Sequence, residues 1–253
     1  EYLRRNTGKR FDPGALCEGA RSVIVCGVGY HRPPSAHEVA SRIASYAHSR
    51  DYHLTIRERL NELSAYLREL VPGASGRVFT DTAPLAEKSW AVEAGLGWIG
   101  RNSLLANPRL GSFLLLGEVV TTAELEPDAP FVRDGCGTCR ACVDACPVAA
   151  IRPDRTIDAG RCISRRTIET GDGDEGDLHG WLFGCDVCQR ACPYNRKAPV
   201  SVHDSFAPLA ELERLDVDDW LGLDEAGFRR IFGETPLARC GLRRLQERIR
   251  RLK

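Results

Sequence analysis

Cys136-Gly-Thr-Cys139-Arg-Ala-Cys142-Val-Asp-Ala-Cys146-Pro147 lies in the middle of this chain, and Cys185-Asp-Val-Cys188-Gln-Arg-Ala-Cys192-Pro193 follows it. The first run has the x2-x2-x3 spacing of a bacterial ferredoxin motif. Three cysteines on a tight turn bring three thiolates to one face of a cubane. The fourth, after a short helical step, points away and ligates the other cluster. The second run lacks a cysteine between Cys188 and Cys192, and Cys162 supplies the missing ligand from upstream. By this exchange, cluster one takes Cys136, Cys139, Cys142 and Cys192. Cluster two takes Cys146, Cys162, Cys185 and Cys188. Two four-thiolate zinc sites are the competing reading. The paired Cys-Pro endings and the triple spacing favour two [4Fe–4S] clusters.

The remaining composition agrees with metal binding. Eight of the eleven cysteines fall between Cys136 and Cys192, which does not suit the disulfide framework of a small secreted domain. Cys17, Cys26 and Cys240 stand outside and read as small apolar residues of the interior. The chain has 253 residues, 43% of them hydrophobic and 28% charged, ordinary values for a globular protein. Lys plus Arg equals Asp plus Glu at 35 each, so overall charge announces no nucleic-acid partner. The apolar run around Phe113–Leu116 is far too short to span a bilayer. No secretory signal pattern is visible. With Glu1 first and no Met, the sequence reads as an excerpt.

Outward from the cysteines, elements alternate. Residues 22–28 read as a buried strand and 77–80 as a second. Residues 112–122 form a third, mostly apolar and hence central. A helix is predicted over residues 36–71, strongest at Leu60, Leu63, Leu67 and Leu70, with Pro72-Gly73 stopping it. Another runs from Pro84 to about Ala94. This alternation predicts an α/β layer over residues 1–125. A linker at residues 126–130 leads to a cluster-binding domain over 126–199, and a helical segment fills 200–253. The acidic, glycine-bearing stretch 169–177 reads as an exposed loop.

Two familiar cofactor signatures are absent. Gly95-Leu-Gly97-Trp98-Ile-Gly100 follows a helix rather than a strand and does not match a dinucleotide fingerprint. No phosphate loop occurs. Asp81 stands where a strand gives way to a helix. It is either a turn residue or a carboxyl facing a crevice as general acid.

Several segments together carry a family resemblance. They are Lys9-Arg10-x-Asp12-Pro13, Gly19–Ile24, Arg50-Asp51-Tyr52-His53, Asp81-Thr82-Ala83-Pro84, Ala94–Asn102, Gly111-Ser112, Arg161–Ser164 and Gly184-Cys185-Asp186-x-Cys188-Gln189-x2-Cys192-Pro193. In this order they resemble the epoxyqueuosine reductases, cobalamin- and iron–sulfur-dependent enzymes that modify tRNA.

The resemblance implies an α+β or α/β fold: a nitroreductase-like cobalamin-binding layer followed by a ferredoxin-like domain with two [4Fe–4S] clusters. It implies that electrons pass from the clusters to cobalamin and then to the epoxide of epoxyqueuosine at the tRNA wobble position. Asp81 looks like the proton donor to the departing oxygen, a role for which burial would raise its pKa. Arg10, Ala44, Leu105, Leu116, Ser164 and Asp186, with Asp81, look like the cobalamin contacts. For Arg10 and Asp186 a surface ion pair is the plain alternative, and for Ala44, Leu105 and Leu116 ordinary core. None of His31, His37, His48, His53, His179 and His203 stands out as a cobalt ligand.

The implied partners are tRNA carrying epoxyqueuosine and an external flavodoxin- or ferredoxin-type electron donor. The implied state is a cytoplasmic monomer without membrane association. The family's size implies roughly fifty further residues before Glu1. The tail 239–253, with seven basic residues and one acidic, and the pair Arg165-Arg166 read as phosphate contacts or as solvated helix faces. A reductive dehalogenase and a non-catalytic electron carrier are the alternative functions.

Overall fold

The computed structural model describes residues 6–169 and 175–252. Its strands are β1 (Ser22–Gly29), β2 (Gly76–Phe79), β3 (Trp98–Ile99), β4 (Leu105–Ala106) and β5 (Leu114–Thr121). β5 is central in a three-stranded sheet of order β1-β5-β2. Both pairings are antiparallel, with Ser22 and Gly76 each opposite Thr121. The helix-on-sheet layer expected from the sequence is therefore present in its antiparallel, α+β form. β3 and β4 make a separate small ribbon.

The alternation of β5 explains what covers each face. Leu115 and Val119 pack with Ile56 and Leu60 of helix α1 (Tyr52–Leu70). Gly117 on the same face lets the helix approach closely, since a Cβ there would stand 2.5 Å from Ile56. On the other face Val120 packs with Phe79, Leu85 and Cys17. Beyond it Glu118, Leu116 and Leu114 face helix α2 (Glu87–Glu93) and the cleft beside it.

The long helix predicted over 36–71 is shorter than its pattern. Asp51 caps α1, its side chain accepting the His53 backbone N–H at 2.9 Å. Val39, Ala40, Ile43 and Ala47 have helical spacing but lie on or beside two 3-10 turns, Ala40–Arg42 and Ser45–Ala47. Their burial belongs to a different core. Ile43 is extended and forms a parallel bridge with Phe183. Likewise α2 begins at Glu87, not Pro84, leaving residues 80–86 as a loop.

A short helix, Thr7–Arg10, precedes β1, and after the sheet come α3 (Ala141–Ala145), α4 (Ile163–Glu169), α5 (Val187–Arg190), α6 (Val217–Gly222), α7 (Glu225–Phe232) and α8 (Leu242–Arg250). Trp220, Phe232, Leu237 and Leu245 share one core with Val39, Ile43, Leu182 and Phe183. The C-terminal helices thus brace the cleft from behind.

The acidic stretch is not simply an exposed loop. Residues 170–174 lie outside the described residues, but Glu175 is buried and paired with Arg248 of α8. Arg248 also donates to the Thr167 and Leu182 carbonyls. This basic tail residue is therefore committed to the interior and free for no phosphate. Arg165 pairs with Glu169, and Arg166 donates to the Asp177 carbonyl. Among the described residues, no helix is long and apolar enough to cross a membrane.

Candidate active site and cluster cavities

The eight clustered cysteines line two cavities, four to each. Cys136, Cys139, Cys142 and Cys192 line one of about 510 Å³. Cys146, Cys162, Cys185 and Cys188 line the other, of about 490 Å³. The spacing groups the cysteines the same way, and ligation itself is tested by the Cys146→Ser and Cys192→Ser variants. Among the described residues, no three His, Cys, Asp or Glu converge tightly enough for a single metal ion. Burial pushes the Cys185 thiol up to about 12 and raises the Cys188 thiol as well. The charge of bound iron would hold these sulfurs as thiolates.

The glycine-rich stretch before the clusters serves the first of them. Trp98 donates its indole N–H to Cys136 Sγ at 3.3 Å, the kind of contact that tunes a cluster's potential. Its ring packs edge-on against Tyr194, with centroids 4.8 Å apart. Gly97 is required because a Cβ there would collide with the Ala106 carbonyl at 2.0 Å.

The second cavity is the wider site. Its walls include Ala44, Asp81, Leu105, Leu116, Ser164 and Asp186 beside the cluster-two cysteines. Six of the seven proposed contacts therefore meet around one space, within the volume range of cofactor and ligand sites. Arg10 is not among the lining residues; its carbonyl accepts from the Trp90 indole and the Ala86 amide. Asp186 is buried rather than superficial. It accepts from the Ser45 hydroxyl at 2.6 Å and backbone at 2.9 Å, and pairs with Arg190 at 3.1 Å. Ala44 rests on the cluster-two segment through its N–H to Phe183 O, at 2.8 Å.

The same cavity is lined by a polar group that sequence reading found only in part. The Tyr52 hydroxyl donates to Asp81 Oδ2 at 3.0 Å, and His53 Nε2 lies 3.5 Å from the same oxygen. His53 Nδ1 is 2.7 Å from Asp51 Oδ1. Asp81 is left-handed, with φ +54°, and its backbone N–H donates to Glu87.

The expected raised pKa of Asp81 is corrected here. The His53 contact outweighs burial and holds the carboxyl below its ordinary value, with the Tyr52 hydroxyl helping. Burial by itself would lower the His53 pKa, but Asp51 and Asp81 raise it to about 9. The exchangeable proton thus resides on the imidazole beside Asp81. Asp51, Tyr52 and His53 lay in a quoted motif. Their signal was an Asp-Tyr-His triple at a helix start, where one cap residue can also orient a histidine.

Two cysteine quartets, one lining the same cavity as a histidine–carboxylate pair, are the features of an iron–sulfur oxidoreductase. A family model for "Epoxyqueuosine reductase QueG, DUF1730" matches residues 10–82, and one for "4Fe-4S double cluster binding domain" matches residues 135–195. The epoxyqueuosine reductase of Cyclobacterium marinum is 41% identical over 98% of this chain and 81% of its own length. A solved epoxyqueuosine reductase from Streptococcus thermophilus is 30% identical with TM-score 0.85, covering 96% of this chain and 67% of that one. Another, solved with an epoxyqueuosine-modified tRNA-Tyr stem loop, is 27% identical with TM-score 0.84, covering 96% and 66%. The chain spans about two-thirds of the length of these solved proteins.

This chain belongs to the epoxyqueuosine reductase family. The double-cluster domain and the family give it its cofactors, two [4Fe–4S] clusters and cobalamin. The residues present fit both: a separate thiolate quartet for each cluster, and a cleft against the second quartet with apolar walls at Leu105 and Leu116.

Proposed function

We propose that this chain removes the epoxide oxygen of epoxyqueuosine at the wobble position of tRNA. Two electrons and two protons are consumed, and queuosine and water are produced. The observation that carries the reading is the shared cavity. The cluster-two cysteines line it together with Asp81, His53 and Tyr52.

Ala44, Leu105, Leu116, Ser164 and Asp186 would hold the corrin, which supplies two-electron reducing power at carbon when bound. The protein's own part is proton delivery. Oxygen leaves carbon poorly as oxide, so an acid within hydrogen-bond reach is required. His53 holds a proton at neutral pH, Asp51 fixes its ring, and Asp81 relays that proton to the departing oxygen. The Tyr52 hydroxyl keeps the Asp81 carboxylate aimed between ring and cavity. Electrons enter from an external one-electron donor of flavodoxin or ferredoxin type, and the enzyme acts as a cytoplasmic monomer.

The family match does not favour a reductive dehalogenase, and a pure carrier has no use for the Asp81 group. Anaerobic reconstitution with both cofactors, followed by nucleoside mass spectrometry of epoxyqueuosine-containing tRNA, tests the proposal. Queuosine formation is expected. Corrin retention without queuosine would replace this reading with another cobalamin reductase, and failure to retain corrin would leave an electron carrier.

A further inference from the structure

Glu118 lies in the middle of the central strand β5, fully buried. Neither of its carboxyl oxygens is met by a hydrogen-bond donor. It stands opposite Val25 on one side and Phe79 on the other, on the face that Leu116 presents to the cavity. A carboxylate in that position has lost water without replacement, so it keeps its proton. The O–H of a neutral acid then needs an acceptor. Glu87, in the first turn of α2, is the carboxylate within reach. Glu87 in turn receives the backbone N–H of Asp81.

We propose that Glu118 and Glu87 share one proton and together latch the Asp81 turn over the cavity, Glu118 donating to Glu87 and Glu87 holding the Asp81 N–H. The turn needs such a latch. A left-handed φ of +54° at a non-glycine residue is unfavourable by itself. The Asp81 side chain is 57% exposed, so apart from its Tyr52 and His53 contacts little packing holds the turn.

The electrostatics agree with the geometry. Burial, then the neighbouring Glu87 charge, pushes Glu118 up to about 10, and burial raises Glu87 as well. The deeper Glu118 holds the shared proton. Cys26 on β1, with Asp81, His53 and Lys88 around Glu87, are the other titratable groups facing the pair. Glu87 and Glu118 are positioning residues, since they reach the substrate only through Asp81.

The inference rests on the proposed role of Asp81 only in its effect on turnover, so its test begins without tRNA. Hydrogen exchange at the Asp81 amide is measured in the cluster-reconstituted chain. Glu87→Ala and Glu118→Val are each expected to speed it about tenfold or more, the effect of losing a hydrogen bond to a charged group. Glu118→Gln, whose amide can still donate to Glu87, is expected to keep most of the protection.

Infrared spectra at neutral pH should show a protonated carboxylic acid in the parent protein that both Glu118 variants lack. In turnover, Glu87→Ala should lower kcat with KM for tRNA unchanged. Parent-like exchange at Asp81 in Glu87→Ala, or absence of the carboxylic acid band, would overturn the latch. If Glu118→Val does not fold, Glu87→Ala and the Glu118→Gln spectrum still decide. A chain inactive on this tRNA would leave exchange and spectra readable, so the two failures are distinct.

Discussion

His53 stands between two carboxylates, and its position sets the pH behaviour of the site. Its pKa is raised from 6.5 to about 9, so the imidazolium and its favourable ion pairs are fully present below about pH 6.5. They are lost as pH rises through about 9. Turnover should accordingly hold through neutral pH and fall on an alkaline limb near pH 9. Asp51→Asn removes the larger partner, and its alkaline limb should move to lower pH in a kcat–pH profile. An unchanged limb would assign it to another group. Asp81→Asn keeps the shape but cannot carry a proton. It should retain corrin, read by absorbance, while kcat falls about a hundredfold or more. These residues were only partly legible in sequence. Asp81 announced itself at the end of a strand, but its partners come from the start of α1, 28 to 30 positions earlier in the chain. Nothing in a local pattern says that a helix start and a strand end will meet.

Among the elements, the cysteine segments were the most legible, because their ligand geometry is local. A turn with two residues between successive cysteines aims them at one cubane whatever surrounds it. The crossing of the two sets gives a direct prediction. Cys146→Ser should degrade cluster two and Cys192→Ser cluster one, each visible as a different surviving signal in the reduced-state EPR spectrum. The reverse pattern would undo the crossed assignment. The segment from Val39 to Ala47 was the least legible. Its apolar spacing is helical, yet Asp51 caps α1 behind it, and its side chains fill the core under the C-terminal helices. It meets the cluster segment at Gly184, where φ is +68° and a Cβ would stand 2.4 Å from that of Ala44. Gly184→Val should cost about 2–4 kcal/mol in denaturant unfolding and weaken corrin retention as well.

Over the whole molecule, the C-terminal helices act on the site from behind. Arg248, 3% exposed, binds Glu175, the carbonyl of Thr167 in α4 and that of Leu182 just before Cys185. One guanidinium therefore joins the tail to both segments that carry Cys162 and Cys185. Arg248→Met leaves buried Glu175 only the longer Arg251 contact at 3.9 Å, and should destabilise the chain by about 2–4 kcal/mol in chemical denaturation. The sequence by itself determined the iron–sulfur chemistry and the central strand, since each follows from spacing along a few turns of chain. Only the tertiary structure decided that Asp51, Tyr52 and His53 gather on Asp81, that Glu118 is buried without a donor beside Glu87, that Arg10 stays off the cavity wall and that a basic tail residue turns inward. Those outcomes depend on which faces of distant elements pack together and how much water each packing excludes, and neither is written in local spacing.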